Sequence, residues 1–222
     1  MTKGGVRLSH DHSHHDVLRR ILFLYAKLNP GVRYVQGMNE LLAPIYFVFA
    51  QDNDPRFKGN AEADAFFCFT NLMSEVRDRF IKSLDNTTTG IIAVVEGLHS
   101  LLERIDYRLW QHMVRFDSEN IGIDPRYYAF KWLTLMLSQE FELPDVLRLW
   151  DTFFAVNRQE TSSSLRTRIA TLRYPTFAVQ CLCIRKDLLA GDFQKVMTIL
   201  QRYPNCDLPL LLAEADRIRI MR

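Results

Sequence analysis

Apolar side chains recur at helical spacing along almost the whole chain. Their separation of three or four residues is clear over residues 18–28, from Ala61 to Leu84, from Gly90 to Ile105 and over residues 128–154. No Asn-Gly or Asp-Gly pair joins two alternating segments, as a short β-hairpin would require. The pattern therefore predicts an all-α fold.

Start and stop signals divide this pattern into separate helices. Asp16 is predicted to cap the first helix, and Asn-Pro-Gly at 29–31 is predicted to end it. Asp124 followed by Pro125 predicts a later start, because Asp accepts from free amides and Pro in the first turn needs no donor. Pro144 predicts the start of the next helix.

Two segments depart from the helical pattern. Residues 1–15 are polar and rich in histidine, which predicts an N-terminal tail. Residues 157–175 are polar, and Pro175 blocks the continuation of a helix, which predicts a loop or local disorder. We therefore expect one helical domain over residues 16–222 that contains this polar segment.

The charge balance narrows the possible partners. The chain has 28 Lys and Arg against 26 Asp and Glu, a formal net charge of +2, which argues against binding to nucleic acid. The longest uncharged segments, 41–51 and 174–184, are much shorter than the ~20 residues that span a bilayer. Residues 1–13 lack the apolar segment of a secretory signal, so we expect a cytoplasmic protein. Its four cysteines contain no CxxC pair and are predicted to be free thiols.

Metal and cofactor chemistry have weak support in the sequence. Residues 10–16 (HDHSHHD) offer ligands for zinc, nickel or copper, but no spacing elsewhere completes a closed site, so we expect a solvated tail and no metal. A metal-dependent enzyme remains the third hypothesis. His99 and His112 lie in predicted helices and are expected to have structural roles. Neither GxxxxGK[ST] nor GxGxxG occurs, so we expect no bound nucleotide or other cofactor.

A glycine-flanked turn, residues 34–40 (YVQGMNE), lies between two predicted helices, where a polar side chain can be presented to solvent. Residues 29–41 (NPGVRYVQGMNEL) closely resemble the glutamine-finger motif of TBC domains, which are GTPase-activating domains for Rab proteins. Residues 143–155 (LPDVLRLWDTFFA) resemble a later helical motif of that family, and residues 129–133 (AFKWL) match the segment before it. The similarity covers most of the chain and is greatest to the member 13 subgroup. It implies an irregular multi-helix TBC-like domain, of which this chain holds the larger, C-terminal part.

The resemblance assigns a role to Gln36. In small GTPases a glutamine orients the attacking water and an arginine neutralises charge that develops on the phosphate. The resemblance implies that the chain is not itself an enzyme but a GTPase activator, which supplies Gln36 in trans to a GTP-bound Rab and meets membranes only through that Rab. Tyr34, Met38 and Asn39 are then expected to pack or to hold the turn. The alternative, that Gln36 merely caps the turn or hydrogen-bonds within it, stays open.

The resemblance also raises a question about catalysis. The family's arginine finger lies in an IxxDxxR motif, and residues 1–37 contain no match to it, so we assign no arginine. The alternative function is therefore a catalytically impaired module that binds Rab or another protein without activating hydrolysis. Trp132, Trp150 and Asp151 are assigned to the architecture, because aromatic residues at helical spacing usually lie in the core.

Overall fold

The computed structural model describes residues 13–80, 91–114, 123–124, 127–155 and 176–220. Every regular element within these ranges is helical, which confirms the predicted all-α class. None of the helices in these ranges is both long and apolar enough to cross a membrane. Residues 1–12 of the predicted tail and the predicted polar segment 157–175 lie outside the described residues.

The described ranges contain twelve α-helices. In chain order they are α1 (His14–Leu28), α2 (Met38–Ala50), α3 (Pro55–Lys58), α4 (Ala61–Val76), α5 (Ile91–Ile105), α6 (Tyr107–Val114), α7 (Ala129–Thr134), α8 (Leu143–Ala155), α9 (176–183), α10 (Arg185–Ala190), α11 (Phe193–Gln201) and α12 (Leu208–Ile220). A 3₁₀ turn, Arg77–Phe80, continues directly from α4.

The first of two compact units extends to Thr70. In it α1 packs against α2. Ile21 and Tyr25 lie one helical turn apart on the buried face of α1, and Leu41 of α2 is fully buried. The rings of Tyr25 and Phe69 meet edge to face at 5.1 Å. Burial of each large apolar side chain contributes about 1.5–3 kcal/mol, so this core fixes the two helices that the glycine-flanked turn connects.

The second unit begins at Asn71 and contains α5 to α12, with α5 packed on α6 and α7, and α8 on α12. Trp132 is fully buried and meets Tyr128 and Tyr203 edge to face, at 5.3 and 5.9 Å between ring centroids. The indole Nε1–H of Trp150 donates to the carbonyl oxygen of Met136 at 2.9 Å. Both tryptophans thus have the architectural role that the sequence predicts.

The predicted N-cap of the first helix is wrong by three residues. Ser13, not Asp16, is the N-cap of α1, and its Oγ accepts the backbone N–H of Asp16 at 3.3 Å. Asp16 lies within the first turn and pairs with Arg19 at 2.9 Å. His14 and His15 consequently belong to α1, and His14 Nδ1 lies 3.1 Å from the Tyr46 hydroxyl.

The helix predicted to begin at Asp124 has different bounds in the structure. Its helical segment α7 begins at Ala129 and ends at Thr134. It ends there because Met136 and Leu137 adopt left-handed backbone angles, with φ of 51° and 64°, which no right-handed helix accommodates.

Two further expectations are corrected. The helix predicted to reach Leu84 leaves α-helical geometry after Val76. Cys68 of α4 is exposed, because Phe69 occupies the buried position at that turn of the helix. Asp151 is exposed as well, so it contributes nothing to the core.

Candidate functional site

The turn that carries Gln36 is fixed at its start by the end of α1. Asn29 caps the helix twice, since its backbone N–H and its Nδ2 both donate to the carbonyl oxygen of Tyr25, at 3.0 and 2.9 Å. The carbonyl oxygen of Asn29 in turn accepts the N–H groups of Val32 and Arg33, at 3.0 and 2.9 Å. The chain therefore leaves α1 in a defined direction rather than as a free loop.

Gly37 fixes the other end of the turn. It is the N-cap of α2, with φ of 102° and ψ of −17°, a conformation that L side chains rarely adopt. Gly37 is buried, so its backbone is not open to a partner. The position requires glycine because of the left-handed turn that brings the chain into α2.

A hydrogen bond joins the side chains of two residues that lie on either side of Gln36 in the sequence. The Tyr34 hydroxyl donates to Oδ1 of Asn39 at 3.2 Å, and Nδ2 of Asn39 donates to Oε1 of Glu40 at 2.8 Å. Met38 is fully buried, and its sulfur accepts the backbone N–H of Val35 at 3.4 Å. Tyr34, Met38 and Asn39 thus hold the turn, as the sequence predicts.

Gln36 itself is exposed, and in the described part of the chain its side chain makes no hydrogen bond. The alternative in which it caps or stabilises the turn finds no such contact there. Its carboxamide offers one acceptor oxygen and two donor hydrogens to a group outside the chain. Gln36 directly precedes Gly37, the N-cap of α2, which provides no side-chain cap. The positive end of the α2 dipole therefore lies beside Gln36 and favours negative charge there.

The histidines considered from the sequence have structural contacts. Nε2 of His99 lies 3.2 Å from the Tyr128 hydroxyl, and burial lowers the pKa of His99, with Asp124 acting in the opposite direction. Nε2–H of His112 donates to the carbonyl oxygen of Leu188 at 3.0 Å. Within the described ranges, no three His, Cys, Asp or Glu side chains come together as metal ligands. His10, Asp11 and His12 lie outside those ranges.

The cysteines are free thiols, as predicted. Cys181 is buried, and burial raises its pKa to about 12. Cys68 and Cys183 are exposed, yet partial burial raises the pKa of both. A raised pKa leaves little thiolate, so these groups are poor nucleophiles.

The sequence did not predict the backbone conformation of Arg33. This residue has a left-handed φ of 62° and an exposed side chain on the same turn as Gln36. Neither glycine nor asparagine marks the position, so the sequence offers no signal for it.

Comparison with known proteins places the turn and the later helices in one family. The family model of the Rab-GTPase-TBC domain matches residues 6–176. Human TBC1 domain family member 13 is 44% identical over 211 residues, covering 93% of this chain and 48% of that protein. The GTPase-activating protein GYP1 of Saccharomyces cerevisiae is 32% identical over 201 residues, covering 82% of this chain and 30% of that protein.

A solved structure agrees with these similarities. The crystal structure of the Ypt/Rab-GAP domain of Gyp1p superposes with a TM-score of 0.74 at 26% identity, covering 93% of this chain and 66% of that one. The chain spans about half, or less, of the length of the curated relatives cited above. The family match over most of the chain, the helical fold and the order of the motifs lead to one conclusion: the chain belongs to the Rab-GTPase-TBC domain family.

Proposed function

We propose that this chain is a GTPase-activating domain for a Rab protein and that Gln36 acts in trans on the nucleotide of that Rab. In the reaction a water attacks the γ-phosphorus of GTP, and the bond to the bridging oxygen breaks to leave GDP and phosphate. Gln36 would accept a hydrogen bond from the attacking water and donate one to a phosphate oxygen. Both contacts are positioning contacts, which is how most catalysis of phosphoryl transfer works.

The observation that carries this proposal is the presentation of Gln36. The Gln36 side chain is exposed and makes no hydrogen bond with the described residues. The side chains of Tyr34 and Asn39, on either side of it, are hydrogen-bonded to each other. A side chain on a fixed backbone loses less entropy on meeting a partner than one on a free loop. The turn therefore suits a group that must enter another protein's active site in one orientation.

The partner is proposed to be a Rab in its GTP-bound form. Membership of the Rab-GTPase-TBC domain family and the similarity to the yeast GTPase-activating protein GYP1 support this class of partner. The near-balanced charge argues against nucleic acid. We propose that the protein is cytoplasmic and reaches membranes only through the Rab.

An arginine is the second group that this chemistry uses. Delivery of an arginine to the transition state is worth about 10³–10⁵ in rate. Residues 1–37 contain no IxxDxxR match, so the family's arginine-finger motif assigns this role to no residue of the chain. The impaired module that binds without activating is therefore one outcome of the test.

The test is single-turnover GTP hydrolysis by a panel of GTP-loaded Rab proteins, with the unaltered chain, Gln36→Ala and the control Gln194→Ala. Gln194 is also exposed but lies on α11. Loss of one oriented hydrogen-bonding group should lower the acceleration by about 100-fold or more in Gln36→Ala. Affinity for the Rab should change by less than about threefold, because an exposed polar contact contributes little to binding.

The outcomes are distinct. Equal acceleration by Gln36→Ala and the unaltered chain would contradict the role of Gln36. Binding of a Rab by the unaltered chain without acceleration would establish the impaired module instead.

A further inference from the structure

Arg33 has a backbone conformation that is unfavourable for its residue type. Its φ of 62° is in the left-handed region, which costs energy for any residue with a Cβ other than Asn or Asp, whose short polar side chains tolerate it better. In this conformation the Arg33 N–H donates to the carbonyl oxygen of Asn29 at 2.9 Å. Gly31, two residues earlier, is not in this region, so the glycine of the turn does not occupy the position that would benefit from it.

Contacts within the described chain do not explain why an arginine stands there. The Arg33 side chain is exposed and has no ion pair or hydrogen bond with the described residues. Arg20 of the same unit, in contrast, binds Glu62 at 2.7 Å. A residue that strains the backbone without an internal contact to offset the strain indicates a role outside the fold.

The position of Arg33 suggests what that role is. Arg33 and Gln36 are three residues apart on one turn, so their Cα atoms are separated by at most about 11 Å. Tyr34, next to Arg33, is 49% exposed. A protein that receives Gln36 therefore comes within reach of the long Arg33 side chain.

We propose that Arg33 binds an anionic oxygen of the GTP-bound partner that receives Gln36, and so helps to select that partner. This proposal rests on the proposed function. A guanidinium presents a planar set of donors that matches a carboxylate or a phosphate in two parallel hydrogen bonds. The anionic oxygen belongs either to a carboxylate beside the partner's nucleotide pocket or to the nucleotide phosphates, and the experiment distinguishes the two sources.

The experiment compares Arg33→Asn and Arg33→Lys with the unaltered chain. Asparagine tolerates the left-handed region but carries no charge, whereas lysine keeps the charge without the planar donors. Lys58→Ala is the matched control, since Lys58 is an exposed cation of the same unit without an ion pair in the described residues. Each variant is assayed for its melting temperature, its affinity for Rab proteins loaded with a non-hydrolysable GTP analogue, and its limiting single-turnover rate.

We expect Arg33→Asn to keep or raise the melting temperature while the affinity falls about tenfold, the size of a charge-assisted contact. The affinity of Arg33→Lys should lie between those of Arg33→Asn and the unaltered chain. The affinity of Lys58→Ala should match that of the unaltered chain. A loss confined to affinity, with weaker salt dependence, assigns the carboxylate. A loss in the limiting rate assigns the phosphate.

Affinity and limiting rate of Arg33→Asn within twofold of the control would overturn the proposal. So would a lower melting temperature of Arg33→Asn, because arginine would then stabilise the turn. Hydrolysis by the unaltered chain tests the proposed function separately. If the unaltered chain binds a Rab but does not accelerate hydrolysis, the role of Gln36 fails while the affinity comparison for Arg33 still decides this proposal. If the chain binds no Rab of the panel, both proposals are overturned.

Discussion

Replacing Gly37 with alanine should destabilise the chain and misplace Gln36 at once. Gly37 has a φ of 102° at the N-cap of α2, directly after Gln36 and directly before the fully buried Met38. An added Cβ leaves the chain two options. It can keep the turn under strain, or it can relax the strain by changing the backbone that positions Gln36.

The expected size follows from the dihedral angles. A left-handed conformation costs a residue with a Cβ roughly 1–2 kcal/mol. That is a sizeable part of the about 5–15 kcal/mol by which a typical domain is stable, and it corresponds to a fall in melting temperature of about 2–8 °C. If the turn relaxes instead, a shift of Gln36 by about 1 Å can cost about 100-fold in rate.

The assay combines urea unfolding with single-turnover GTP hydrolysis by a responsive Rab. Gly31→Ala is the matched control, because an alanine Cβ at Gly31 meets nothing within 4 Å and its φ is not left-handed. That control should be neutral or more stable by about 0.4–1 kcal/mol, since alanine lowers the entropy of the unfolded chain. If Gly37→Ala matched Gly31→Ala in both stability and acceleration, the left-handed turn would not be what holds Gln36.

Three other changes test separate contacts. Tyr34→Phe removes only the hydroxyl that donates to Asn39. The limiting hydrolysis rate should then fall about two- to fivefold with unchanged Rab affinity. An unchanged rate would contradict the role of this hydrogen bond in positioning Gln36. Trp150→Phe removes the indole donor to Met136 and should cost about 1–3 kcal/mol in urea unfolding, whereas a neutral result would mean that water replaces this bond. Burial alone would raise the pKa of Asp106, but hydrogen bonds, chiefly from Arg185, lower it below its usual value. The folded carboxyl thus holds its proton less tightly than the unfolded one, so its stabilisation is present above about pH 4 and is lost as the pH falls further. Asp106→Asn should flatten the pH dependence of unfolding below about pH 4, and an unaltered slope would assign that dependence to other groups.

Local signals in the sequence locate several helices closely. Asp192 is a residue type that favours helix starts, and it caps α11 by accepting the Lys195 N–H at 2.7 Å. The helix that Pro144 is predicted to start begins at Leu143. In each of these cases the cap or the proline lies beside the helix in sequence, so no distant contact is needed to define it.

Tertiary contacts explain what the sequence could not show. Met136 and Leu137 are buried in left-handed conformations, and the Met136 carbonyl receives the Trp150 indole, so packing and not residue type ends α7 there. The same holds for Arg33, whose backbone is set by the cap of α1.

The candidate site was only partly predictable. A glycine-flanked turn with an exposed polar residue follows from the residues, but the role of Gln36 came from the resemblance to the family and stays a prediction. The bond between Tyr34 and Asn39 joins residues five apart across a non-helical turn, a spacing that no helical or strand periodicity indicates.

The most direct test of the central claim is binding to a transition-state analogue. A chain that stabilises the transition state through Gln36 should bind a GDP-loaded Rab much more tightly when aluminium fluoride occupies the position of the transferred phosphate. We predict an aluminium fluoride-dependent complex whose affinity falls at least about tenfold in Gln36→Ala, while Gln194→Ala binds like the unaltered chain. A complex that forms equally well without aluminium fluoride, or equally well with Gln36→Ala, would contradict the account.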